Sequence, residues 1–129
     1  MQNLVTQLTD LTKDLSFVSE SDATWQITPL AIDEPLIEQL YTRSGKPTDS
    51  PIEERAWADF AARVATVQDW MGDDEKATAL RYAALRDFVD ANLTEVSVFR
   101  IGAIDISIYV VGKTATGEWV AMATQSIET

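Results

Sequence analysis

A change of hydrophobic period along the chain constrains its fold more than any other feature of the sequence. Leucines recur every three or four residues between Leu4 and Leu15, which is one face of an amphipathic helix that we expect to end near Ser16. Ile104, Ile106, Ile108 and Val110 instead alternate with Asp105, Ser107 and Tyr109, as in a strand with one buried face. Helices followed by a run of antiparallel strands predict an α+β domain with helices packed on a small antiparallel sheet.

Prolines and glycines indicate where the elements in the middle of the chain begin and end. Pro29 interrupts the apolar stretch from Trp25 to Leu30, which limits that stretch to an edge strand. Pro35 predicts the start of a short helix that Gly45 ends. The length of 129 residues predicts a single domain over residues 1–129.

Two acidic helix starts follow, and strands complete the chain. Ser50 and Pro51 predict a capped helix, and Asp73-Asp74-Glu75 opens a longer one through about Asn92. The first helix has the expected buried stripe Ile52, Ala56, Phe60 and Val64, and the second has Ala77, Leu80, Ala84 and Phe88, flanked by Leu85 and Val89. Strands are expected at residues 96–101 and 119–125, with a hairpin loop over residues 112–117.

The charge balance narrows the class of partner. The chain carries 21 acidic and 10 basic residues, a net charge of −11, which repels nucleic acid and anionic membranes. The excess of acid favours a basic protein surface as partner. The alternative is that the charge only keeps the protein in solution.

The absence of cysteine and histidine weakens the case for an enzyme. Without cysteine there is no disulfide and no thiolate nucleophile, and without histidine the chain lacks the commonest general base and metal ligand. The start of the chain has no signal-peptide pattern, and no stretch approaches the roughly 20 apolar residues of a membrane span. We therefore expect a cytoplasmic protein that is not an enzyme.

Several segments are candidate sites. The window Gln68 to Glu75 contains four acids and no base, with Trp70 as either a core residue or an interface anchor. The run Asp73-Asp74-Glu75 fits helix capping better than metal binding, since consecutive side chains point in different directions. Ser19 to Asp22 is a second acidic loop, or an ordinary solvated helix end. The carboxylate and hydroxyl of Thr129 form an oxygen cluster that can ligate a hard metal held by another protein, or belong to a frayed end.

Three of these segments together resemble the nuclease A inhibitor family of cyanobacteria. The resemblance is strongest in Phe17-Val18-Ser19-Glu20-Ser21, in Gln68-Asp69-Trp70, and from about Val98 to the end. The last stretch contains Tyr109-Val110-Val111-Gly112-Lys113-Thr114, the Gly117 turn and Glu128-Thr129. Residues 23–66 are much less similar.

The resemblance implies an α/β/α sandwich that occludes the active site of a Mg²⁺-dependent nuclease with a ββα-metal motif. It also implies that Thr129 reaches the catalytic Mg²⁺ of the nuclease and that Glu20 engages an active-site arginine. Gln68 and Trp70 correspond to contact residues of the inter-helix loop. Met71 departs from the aromatic residue expected at its position.

The sequence thus predicts an inhibitor of a sugar-non-specific DNA/RNA endonuclease that acts as a monomer through Glu20, Gln68, Trp70 and Thr129. The alternative is an acidic binding module of the same fold with a different basic protein partner. No cofactor is expected, and no metal beyond the Mg²⁺ of the bound nuclease.

Overall fold

The computed structural model describes residues 2–18 and 22–128, which comprise four helices and seven strands. The helices are α1 (Gln2–Thr12), α2 (Leu36–Ser44), α3 (Trp57–Ala65) and α4 (Asp73–Asn92). The strands are β1 (Phe17–Val18), β2 (Asp22–Ala23), β3 (Gln26–Leu30), β4 (Ile52–Ala56), β5 (Thr94–Ile101), β6 (Asp105–Lys113) and β7 (Trp119–Ile127). No helix of these two ranges is long and apolar enough to cross a membrane.

Five of the strands form one antiparallel sheet in the order β3-β7-β6-β5-β4. The last three strands follow one another as hairpins, so β6 lies in the centre with β5 and β7 beside it. β1 and β2 pair separately. The sheet and its helices confirm the predicted α+β class, and β3, which contains Pro29, is an edge strand as expected.

Helices cover both faces of the sheet. On one face α1, α3 and α4 pack on residues such as Ile106, Ile108 and Val110 of β6. On the other face α2 places Leu40 and Tyr41 against a second apolar cluster that includes Tyr109 and Val111 of the same strand. This gives three layers, in agreement with the α/β/α sandwich.

The prediction that β6 is buried on one face only is wrong. Ser107 and Tyr109 are 5% and 4% exposed, although their polar character in an alternating pattern predicted a solvated face. The reason is the second layer: α2 and the segment after it cover that face, and the ammonium of Lys46 donates to Ser107 Oγ at 2.9 Å. Ile104, expected to be buried, lies before the strand and is 59% exposed.

The helix predicted from Ser50 and Pro51 begins later than expected. Ile52–Ala56 form the edge strand β4, which pairs with β5 from Ile52 opposite Ile101 to Ala56 opposite Ser97, and α3 begins only at Trp57. All five residues of β4 are exposed, as suits a charged edge strand. Pairing with β5 overrides the local helix-start signal.

Two other helices differ in detail from the prediction. α1 ends at Thr12 rather than near Ser16, and Asp14 follows in the left-handed region at a φ of 59°. α4 has the predicted bounds, and the predicted flanking residues Leu85 and Val89 are buried, but the predicted central stripe is not. Leu80 is 61% exposed, whereas the buried residues of α4 are Ala79, Tyr82, Leu85 and Val89. Both sets have helical spacing, so only the packing against the sheet distinguishes them.

A buried hydrogen-bond chain ties α4 to the segment after α1. Trp25 Nε1 donates to the hydroxyl of Tyr82 at 3.0 Å, and this hydroxyl donates to the carbonyl of Ser16 at 2.8 Å. Burial raises the pKa of Tyr82 to about 12, against a smaller lowering by the Trp25 hydrogen bond and by Arg81. The neutral phenol is therefore the form that the fold requires.

Tyr82→Phe is expected to lower the free energy of unfolding by about 1–3 kcal/mol, because it leaves the buried Trp25 Nε1 donor and the half-buried Ser16 carbonyl without their partner. Chemical denaturation measures this change. The matched control is Tyr109→Phe, since the Tyr109 hydroxyl makes no hydrogen bond with the described residues; its effect should be smaller, because no hydrogen-bond partner is left unsatisfied. Equal losses in the two variants would contradict the role of the Tyr82 hydroxyl.

The Tyr82 hydroxyl also makes the stability of the fold depend on pH in the alkaline range. The pKa of Tyr82 is about 12 in the folded protein against an ordinary value of 10.0, so its contribution to stability is complete below pH 10 and is lost as pH rises towards 12. Denaturation midpoints measured across this range should fall for the wild type and fall less for Tyr82→Phe.

Candidate partner-binding site

The predicted contact segments can be located relative to one end of the five-stranded sheet. At this end, which we call the distal end, β5 ends at Ile101, β6 begins at Asp105 and β7 ends at Ile127. β3 also begins here, since Gln26 pairs with Ala123 and Leu30 with Trp119. The segment before β3 and the segment after β7 therefore belong to the same end of the sheet.

The loop between α3 and α4, residues 66–72, also lies towards the distal end. α3 begins directly after Ala56, and α4 ends directly before Thr94, at the opposite end of the sheet. Trp57 Nε1 donates to Asp90 Oδ1 at 2.9 Å, so the start of α3 lies beside the end of α4 and the two helices are antiparallel. The 20 residues of α4 span about 30 Å, the length of a nine-residue strand such as β7.

Trp70 projects from this loop into solvent. Its side chain is 68% exposed, which decides between the two roles left open by the sequence: Trp70 is not a core residue. Its Nε1 donates to Gln68 Oε1 at 2.9 Å, and the carbonyl of Gln68 accepts from the Met71 amide at 3.1 Å. The loop thus presents the indole and orients it through Gln68.

Acidic side chains surround Trp70. Asp69, Asp73, Asp74 and Glu75 are all exposed. The three acids of α4 occupy its first turn, where they favour the positive end of the helix dipole, and Glu75 Oε1 accepts from the Gly72 amide at 3.4 Å. Among the described residues no group of three His, Cys, Asp or Glu side chains could hold a metal ion. The loop therefore combines an aromatic side chain with solvated negative charge.

Glu20 lies outside the described residues, between the paired strands β1 and β2. Phe17 pairs with Ala23, and both strands contact β7. The ring of Phe17 stacks on Phe60 at a centroid distance of 5.8 Å and meets Trp25 edge-on at 6.1 Å. The residues on either side of the Glu20 segment are thereby attached to the distal half of the domain.

Thr129 also lies outside the described residues, directly after a residue that is held firmly. The amide of Glu128 donates to the carbonyl of Ile104 at 2.9 Å, and Ser126 Oγ donates to Glu128 Oε2 at 2.8 Å. The guanidinium of Arg100 donates to the same carboxylate oxygen. The Arg100 hydrogen bond, opposed by burial and aided by Ser126, holds the pKa of Glu128 below its ordinary value of 4.5. These contacts therefore add to stability above pH 4.5 and are lost as pH falls through the lowered pKa.

Two features of the distal end were not predicted from the sequence. Ile104 and Val67 are exposed apolar residues, one before β6 and one in the inter-helix loop. The pair Arg100 and Glu128 is separated by 28 residues, and no local pattern signals it. The register of β5, β6 and β7 is needed to bring the two side chains together.

The chain resembles one family of known proteins. The family model described as Nuclease A inhibitor-like protein (NuiA) matches residues 2–129. No curated protein matches the chain. The family match includes residues 23–66, where the motif resemblance is weakest, and it extends over all of the described helices and strands. It therefore concerns residues 2–129 and not a single motif.

Proposed function

The chain belongs to the nuclease A inhibitor-like family, and we propose that it is a stoichiometric inhibitor of a Mg²⁺-dependent, sugar-non-specific DNA/RNA endonuclease. Family membership by itself suggests a nuclease inhibitor, with a nuclease as partner and no catalytic role of its own. The finer proposal is that the distal end occludes the active site of the enzyme.

The exposed Trp70 is the observation that carries this proposal. Trp70 is 68% exposed and Val67 in the same loop is 43% exposed, so the acidic loop offers two apolar side chains that a partner can cover. Tryptophan is also among the residues most often found as energetic anchors of interfaces. The loop lies towards the end of the sheet at which β7 ends, so one partner can contact Trp70 and the C-terminal segment together.

The chemistry of the distal end suits a nuclease. The active site of such an enzyme is selective for phosphate and contains a hard cation and basic side chains. In the proposal, Glu20 pairs with an active-site arginine, and the carboxylate and hydroxyl of Thr129 supply oxygen ligands to the Mg²⁺. Gln68 keeps Trp70 in its contact position. The net charge of −11 accelerates association with a basic surface.

The inhibitor acts, in this proposal, as a cytoplasmic monomer that protects the cell in which the nuclease is made. It needs no cofactor, since the only metal in the complex belongs to the enzyme. It also needs no affinity for nucleic acid or membranes, because it replaces the substrate and does not bind it.

The direct test is titration of a ββα-metal, sugar-non-specific endonuclease with this protein, with plasmid DNA and RNA cleavage as readouts in Mg²⁺. We expect activity to fall linearly to an end point at one inhibitor per enzyme. A nuclease of unrelated active-site structure serves as the control and should be unaffected. Full activity of every ββα-metal nuclease tested would reject the proposal and favour the binding module with another basic partner.

A further inference from the structure

Arg100 is buried in β5, and its guanidinium forms an ion pair with Glu128, the last described residue of the chain. Arg100 is 8% exposed, and its guanidinium donates to the carboxylate of Glu128. Ser126 Oγ and the carbonyl of Ile104 hold the same residue, one through its carboxylate and one through its amide. Glu128 is therefore attached to β5 through Arg100, to β7 through Ser126 and to the turn before β6 through Ile104.

The electrostatics make Arg100 the strongest of these attachments. A hydrogen bond between two charged groups is roughly twice as strong as a neutral one, and a buried guanidinium is costly without a carboxylate beside it. Glu53 lies opposite Arg100 in β4, and the distance from Glu53 Oε2 to Arg100 Nε is 3.8 Å. The Nε atom itself makes no hydrogen bond with the described residues, so the contact with Glu128 is the hydrogen-bonded one.

A buried arginine is not required to end a strand. Many strands end where hydrogen bonding to the neighbouring strand stops, and their last residues fray. Here β7 ends at Ile127, and the attachments apply to the residue after it. The side chain of Glu128 is 46% exposed, so the arginine holds a residue at the surface and does not neutralise a buried acid.

We propose that Arg100 is a positioning residue, which holds Glu128 and thereby lowers the entropy lost when the adjoining Thr129 binds the nuclease. This inference rests on the proposed function, because that function gives Thr129 its ligand. Thr129 is bonded directly to Glu128, so freedom at Glu128 is passed to the metal-binding oxygens. Preorganisation of this kind lowers the entropy that binding must otherwise remove.

The test combines Arg100→Met with removal of Thr129. In the full chain, Arg100→Met should raise the inhibition constant by about tenfold, the scale of one lost charge-assisted hydrogen bond. In the chain that lacks Thr129, the same substitution should change the constant less than about twofold, because nothing remains to position. Arg100→Lys, which keeps the charge and a donor, should restore most of the inhibition.

A second readout needs no nuclease. Carboxypeptidase Y, followed by mass spectrometry, should release Glu128 about tenfold faster from Arg100→Met than from the wild type, since protease access follows local opening. Arg86→Met is the matched control, because Arg86 is a partly exposed arginine on α4 that pairs with its neighbour Asp87. It should alter neither the inhibition constant nor the rate of release.

The outcomes separate this inference from the proposed function. If the wild type inhibits and Arg100→Met weakens inhibition equally with and without Thr129, the residue stabilises the fold and does not position Thr129. Unchanged inhibition in the full chain would also overturn the inference while leaving the proposed function intact. If the wild type inhibits no ββα-metal nuclease, both the proposed function and the positioning role of Arg100 are contradicted. This holds even if carboxypeptidase Y shows that Arg100 holds Glu128.

Discussion

Removal of Thr129 is expected to raise the inhibition constant for a ββα-metal nuclease by about a hundredfold or more. The physical reason is the loss of two oxygen contacts to a dication. Each contact contributes at least as much as a hydrogen bond to a charged group, which is roughly 1.5–3 kcal/mol. The shortened chain ends in the carboxylate of Glu128. That carboxylate is withdrawn by about one residue, or 3.3–3.6 Å, so it cannot replace the lost ligands.

The measurement is a titration of nuclease activity with the full and the shortened chain. Thr129→Ser keeps both oxygens and should inhibit almost as well as the wild type, whereas Thr129→Val keeps only the carboxylate and should be intermediate. Thermal denaturation should not distinguish the four proteins. An unchanged inhibition constant after the deletion would contradict the metal-ligation mechanism. Binding would then depend on the acidic loops without Thr129.

Trp70→Ala should weaken inhibition by at least thirtyfold, which corresponds to the roughly 2 kcal/mol typical of an interface anchor. The free energy of unfolding should change by less than about 0.5 kcal/mol, since the side chain is 68% exposed. Inhibition constants and urea denaturation curves measure the two quantities separately. Binding should weaken mainly through faster dissociation, because a neutral substitution leaves the steering charge unchanged.

Ile32→Ala is the matched control for Trp70→Ala. Ile32 is 65% exposed and follows β3 at the end of the sheet opposite to the distal end, so its loss should leave inhibition unchanged. Trp70→Phe should retain part of the affinity, because it keeps an aromatic ring but lacks the Nε1 donor to Gln68. Full inhibition by Trp70→Ala would show that the exposed indole contributes nothing to the interface.

Parts of the fold follow from local sequence signals. Pro35 and Gly45 bracket α2 as predicted, and α4 runs from the acidic turn at Asp73 to Asn92. Strands β5, β6 and β7 lie where apolar patterns predicted strands, although β6 continues through Gly112 and Lys113, which were predicted as loop. In these segments the local preference and the tertiary structure favour the same conformation.

The failures occur where tertiary contacts oppose or exceed the local signal. Ser50 and Pro51 predict a helix start, but residues 52–56 complete the edge of the sheet against β5. The alternation in β6 predicts one solvated face, but α2 covers it and leaves Tyr109 only 4% exposed. Neither outcome is visible in a window of neighbouring residues, because strand partners and covering helices come from distant parts of the chain.

Some features of the candidate site also follow from the sequence, and others do not. The acidic run beside Trp70 and the acidic segment around Glu20 are visible in the sequence, and the family resemblance assigns them to one partner. The exposure of Trp70 is not visible, since a tryptophan between two helices suits a core and an interface equally well. The functions of Glu20, Gln68, Trp70 and Thr129 stay predictions for the experiments above.

Composition, hydrophobic period and motifs establish the charge, the α+β class and the family of this protein, because they are properties of short stretches of chain. The folded chain alone shows that Trp70 faces solvent, that its loop lies towards the end where β7 finishes, and that Arg100 contacts Glu128. These facts depend on the antiparallel packing of α3 and α4 and on the register of the sheet. Register and packing arise from contacts between residues far apart in sequence, which no local pattern encodes.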